Sequence, residues 1–77
     1  MLKINWDEYK EFKKHRHKKG DNFTSLLEFM KSYYNMISPR EMFEVLMADD
    51  LAQMMLEKRE IKDAEDLENF LFKKNHA

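Results

Sequence analysis

The sequence predicts an all-α protein, a compact bundle of about five short helices forming a single domain over residues 1–77. Three observations carry that expectation. Gly and Pro occur once each in 77 residues, so the turn chemistry of a β protein is missing. Apolar side chains recur every three or four positions, the spacing of one helix face. Asn, Ser and Asp stand just before several of those apolar runs, where a helix start needs a side-chain oxygen to accept its free backbone N–H groups.

The first helix is expected over residues 5–18. Asn5 is placed to cap it, Glu8 sits at the capping-box position, and Ile4 is spaced to staple onto Tyr9. Trp6, Tyr9 and Phe12 then share a face, and Gly20 ends the helix. A second helix is expected over 24–36, capped from within DNFTS, with a stripe running from Phe23, Leu26, Leu27 and Met30 to Tyr33, Tyr34 and Ile37. The third, over 39–47, has the fullest start signal. Ser38 is the N-cap, Pro39 the first helical residue, Glu41 completes a capping box, and Ile37 with Met42 forms the staple.

Helical phase decides whether the third helix runs on to Glu60. At about 100° per residue, Met42, Phe43, Leu46 and Met47 define one apolar face, and Asp50 would project from its middle. Leu51, Met54 and Met55 define another face, turned away from the first. An unbroken helix would bury Asp50, so a break at Ala48-Asp49-Asp50 costs less, with Asp49 or Asp50 capping a fourth helix over 50–60. Asp63 caps a fifth over 64–74, with Leu67, Phe70 and Leu71 inward and Lys73 and Lys74 at the negative end of its dipole.

Composition bounds the function. A chain of this size buries only about 60% of its unfolded surface and leaves no room for a second core. Hydrophobic residues at 43% and charged ones at 38% suit an ordinary folded domain. The absence of cysteine excludes disulfides, thiolate zinc sites and a cysteine nucleophile, and fits a reducing, cytoplasmic setting. No apolar run approaches the roughly 18 residues that cross a bilayer, and the start MLKINWDEYK lacks the apolar stretch of a signal peptide, so no membrane partner is expected. Lys outnumbers Arg by 11 to 3, a bias of AT-rich coding that suits a low-GC bacterium or its phages and mobile elements.

Net charge is only −1, but residues 1–20 carry seven Lys and Arg against three Asp and Glu, whereas residues 41–68 carry three against ten. The head is basic and the body acidic. Residues 13–20 read KKHRHKKG. His15 and His17 lie about 200° apart on a helix and cannot share an ion, so no metal is expected. Clustered Lys and Arg attract phosphate, but around one helix they point in every direction, and the aromatics that base stacking needs are required inside. The plainer account is a cationic last turn, which the helix dipole favours by about 0.3–1 kcal/mol per charge.

SPREMFEVLMADDLAQMMLEKREI has the outline of a helix-turn-helix. Its turn lacks glycine, and its second helix carries Asp49, Asp50 and Glu57, with Lys58 and Arg59 only at the far end. Gln53 is the one base-edge reader near the start, so this helix repels DNA and two core helices are the better account. Catalysis fails on inventory. Asp49, Asp50, Asp63 and Asp66 serve as caps and dipole partners, and neither a Gly-rich phosphate loop nor a Ser/His/Asp order is present. A non-enzymatic protein without cofactor is expected.

The apolar surplus points elsewhere. Val45-Leu46-Met47, Met54-Met55-Leu56 and Phe70-Leu71-Phe72 are consecutive apolar triplets, and each helix must turn at least one member away from a one-sided core. Helices 3 and 4 absorb this surplus if each is contacted on two sides; otherwise it forms a patch for a second copy or a foreign protein. Three candidate partner-binding surfaces follow: an apolar set (Val45, Met55, Leu56, Phe72), a cationic set (Lys13, Lys14, Arg16, Lys18, Lys19), and an acidic set (Glu57, Glu60, Glu65, Glu68) suited to a basic partner. The functional expectation is a small regulator or inhibitor, of the type phages and mobile elements encode, that docks on another protein and occludes it. A DNA- or RNA-binding regulator using segment 13–19 is the second expectation, and a self-assembling structural protein, such as a homodimer, the third.

Overall fold

The computed structural model describes residues 2–16 and 22–76, with side chains placed over 2–15 and 22–72. Five helices account for most of them: α1 Trp6–Arg16, α2 Asn22–Tyr33, α3 Pro39–Met47, α4 Asp50–Lys58 and α5 Ala64–His76. No strand occurs among the described residues, so the molecule is the all-α bundle that its spacing and turn chemistry predict.

Four helices begin on side-chain oxygens. Glu8 N–H donates to Asn5 Oδ1 at 3.1 Å, and Glu41 N–H donates to Ser38 Oγ at 3.5 Å. Ala52 N–H donates to Asp49 Oδ1 at 3.0 Å, so Asp49 is the cap and Asp50 the first residue of α4. At α5, Asp66 N–H donates to Asp63 Oδ1 at 2.9 Å, while Asp66 Oδ2 accepts from Lys62 N–H at 2.9 Å. Caps of this kind contribute about 1 kcal/mol each.

Two helix ends follow a rule the sequence does not advertise. Asn35 and Glu60 have positive φ, 57° and 56°, and each reverses the chain after a helix. Met36 N–H then donates to Met30 O at 3.2 Å and Ile61 N–H to Leu56 O at 3.0 Å, closing loops of seven and six residues that bring a second donor onto a carbonyl near each helix end. Met36 and Ile61 fold into the core beneath them. α2 therefore stops three residues before the expected 36, having begun two residues before the expected 24, and α4 stops at Lys58 instead of 60. Met36 takes the place expected of Ile37, which is 84% exposed, so the Ile37–Met42 staple does not form. The expected end of α1 at Gly20 lies outside the described residues.

α2 is the spine of the core, burying Phe23, Leu26, Leu27, Phe29 and Met30. α3 packs between α4 and α5, and α1 lies on α2. Phe29 anchors the α1–α2 contact, its ring centroid 5.7 Å from that of Tyr9 and 5.5 Å from that of Phe12, both edge to face.

Directed polar ties fix the N-terminal end. The Tyr34 hydroxyl donates to Lys3 O at 2.9 Å and accepts from Asn5 N–H at 2.8 Å, pinning the segment ahead of α1 to the end of α2. The Tyr9 hydroxyl donates to Asn22 O at 2.9 Å. Trp6 Nε1–H donates to Asp49 Oδ2 at 2.9 Å. Asp49 thus serves two elements: one carboxylate oxygen starts α4 and the other holds α1 against the α3–α4 break.

Candidate docking surface

The orientation of α4 sets the character of the surface. Ala52 and Leu56, one turn apart, are its buried residues, and the small Ala52 side chain lets the helix backbone approach its neighbours closely. At about 100° per residue, Leu51 and Met54 then fall towards the opposite side, and they are 55% and 62% exposed. Of the apolar face expected from Leu51, Met54 and Met55, the first two thus point outwards, and Met55, expected at the surface, is partly covered.

Two residues of the expected apolar patch are corrected. Val45 is 6% exposed and Leu56 1%, so neither reaches a partner. Val45 is covered because α3 is contacted by both α4 and α5, and Leu56 because it forms the inward side of α4. For α3 the surplus is absorbed within the monomer except at its last residue, Met47, which is exposed; for α4 Leu51 and Met54 face out.

Leu51, Met54 and Met55 line a groove of about 800 Å³ with Phe23 at its base, between the start of α2 and the end of α4. Asn22, Glu57, Lys58 and Arg59 complete its lining. The Arg59 guanidinium lies over the Phe23 ring, 4.8 Å from its centroid, and donates from Nη1 to Met55 O at 3.3 Å. Beyond the lining, Lys13 Nζ donates to Oδ1 of the lining residue Asn22 and lies 5.8 Å from the Tyr9 ring centroid. Lys13 and Met55, assigned from sequence to separate surfaces, are linked through Asn22, which bonds the first and lines the groove with the second.

The remaining candidates are dispersed. Lys14 is exposed on α1, and Phe72 is exposed on α5. The Arg16 side chain, Lys18 and Lys19 lie outside the described residues. Of the four carboxylates, Glu57 borders the groove and Glu60 occupies the turn after α4. Glu65 and Glu68 line a different hollow with Ser38, Pro39 and Arg40. Sequence reasoning missed Leu51 and Met54 as surface residues. The available signal was the Ala52/Leu56 pair, an alternative inward face at one-turn spacing.

The competing chemistries find little geometry. His15 Nε2 lies 3.6 Å from Glu11 Oε2, both side chains exposed, and no group of three or more His, Asp or Glu among the described residues is placed to hold a metal ion. Tyr33 is exposed and stacked on Phe29 at 5.0 Å, but the hollow it shares with Phe12 and His15 also holds Glu8 and Glu11. Those carboxylates repel the phosphates of any base that would stack there. No helix of the described residues is long and apolar enough to cross a membrane. Comparison with family models, curated proteins and solved structures found no match.

Proposed function

We propose that this chain is a small non-enzymatic binding protein that docks on a partner protein through the outward face of α4 and its adjoining groove. It acts as a regulator or inhibitor by covering the surface it binds. One observation carries this reading: Leu51 and Met54 stand exposed on a helix of nine residues, in a chain whose small size makes every apolar side chain valuable to its core. Full burial of a Leu or Met side chain contributes about 1.5–3 kcal/mol, a gain the monomer leaves open to a partner. Methionine suits the purpose because its unbranched thioether adapts to irregular surfaces.

The test is affinity capture from native cells, run in parallel with wild type and a Leu51→Glu/Met54→Glu variant. A partner retained by wild type and lost by a variant of unchanged circular dichroism supports the reading. Identical captures from the two proteins remove it. Light scattering at micromolar concentration separates the self-assembly alternative, for which wild type is a dimer or larger and the double variant a monomer.

A further inference from the structure

The groove is cationic on a body that is otherwise acidic. Residues 41–68 hold ten carboxylates and three cations, the cations being Lys58, Arg59 and Lys62. Two of the three, Lys58 and Arg59, line this groove, where Glu57 is the one carboxylate. A further cation, Lys13, is bonded to the lining residue Asn22. Along α4, Leu51 and Met54 lead to the exposed Lys58 at spacings of seven and four, so an apolar stripe ends in an ammonium group.

We infer that this groove receives an acidic amphipathic segment of the partner protein, one with apolar side chains along one face and Asp or Glu beside them. The inference rests on the docking function proposed above and names its ligand chemistry. Apolar side chains of the segment pack on Leu51, Met54 and Met55, while its carboxylates meet Lys58 and Arg59. Charge complementarity of this kind sets partner choice and approach rate.

Two other occupants fit less well. Nucleic acid matches the rim charge, but its bases need an exposed aromatic face, and Phe23 is fully buried beneath Arg59. A second copy pairing α4 antiparallel on α4 brings like flanks together. The flank beside Met54 carries Asp50 and Glu57, so such a pair sets carboxylate against carboxylate.

The test titrates methyl-labelled protein with two helical peptides of identical leucine pattern, one flanked by glutamate and the other by lysine, and with a random DNA duplex. The glutamate peptide is expected to shift the Leu51 and Met54 methyl resonances and to bind at least about tenfold more tightly than the lysine peptide at low salt. Lys58→Glu, at an exposed position, is expected to abolish or invert that preference with the fold unchanged by circular dichroism. Equal or tighter binding of the lysine peptide overturns the acidic-segment inference and leaves the docking function standing. Silence of both methyls towards both peptides overturns the groove as a docking site, and with it the inference. Shifts at the same methyls produced by the duplex alone transfer the groove to nucleic acid.

Discussion

α3 and α4 are both nine residues long, both begin at a side-chain cap, and they use their apolar residues in opposite ways. α3 buries Met42, Val45 and Leu46 and leaves its last residue, Met47, exposed. α4 buries Ala52 and Leu56 and leaves Leu51 and Met54 in solvent. Location explains the difference, since α3 lies between two helices and α4 has a side that no helix covers. Apolar content therefore measures how much surface a helix needs covered; the fold decides whether the cover is internal or external.

Substitutions separate the two helices most sharply in the core. Leu46→Ala is expected to cost about 2–5 kcal/mol in urea denaturation, a large share of the roughly 5–15 kcal/mol that holds a domain folded. A cost below about 1 kcal/mol would erase the contrast. The two helix starts differ next. Asp49→Ala removes both the cap and the Trp6 bond and is expected to cost about 1–3 kcal/mol. Ser38→Ala removes one long bond of 3.5 Å and is expected to cost less, towards the lower end of about 0.5–2 kcal/mol. Equal costs would show that the Trp6 bond adds nothing to the α4 start.

The end of α4 supplies a change of opposite sign. Glu60 holds a left-handed conformation that costs a non-glycine residue about 1 kcal/mol, so Glu60→Gly is expected to raise the thermal midpoint. Asn35→Gly is expected to raise it less, because asparagine tolerates that conformation. A fall on Glu60→Gly would assign the glutamate side chain a structural contact. The smallest stability effect is expected at the outward face: Leu51→Ala and Met54→Ala should each stay within about 0.5 kcal/mol of wild type while weakening partner capture. A loss comparable to that of Leu46→Ala would place these residues in the core and remove the docking surface.

What was legible in the sequence was local. Asn5, Ser38, Asp49 and Asp63 act on N–H groups three residues away, and so their helix starts can be read from short stretches. The α3–α4 break was legible for the same reason, since Asp50 clashes with the phase of the preceding face. The rotation of α4 was not. Patterning groups the bulky Leu51, Met54 and Met55 on one apolar face and leaves Leu56 over, whereas the buried face is the one that carries Ala52 and Leu56. The turns at Asn35 and Glu60 were hidden because glycine, the usual signal for a left-handed residue, is absent from both. The groove was half legible: Lys13 and Met55 were each candidates, but only the fold brings Asn22 of α2 between them.

The bond from Trp6 to Asp49 spans 43 positions of sequence and has a kinetic consequence. α1 with α2, and α3 with α4, pack against the next helix in the chain, contacts that close quickly because little loop entropy is lost. Trp6 is the only tryptophan, and its indole N–H finds Asp49 only when the two sub-assemblies meet. In stopped-flow refolding, its fluorescence reports their docking, while far-ultraviolet dichroism reports the helices themselves. Coincident traces mark a single barrier, and a lag in the indole signal marks helices that form before they dock.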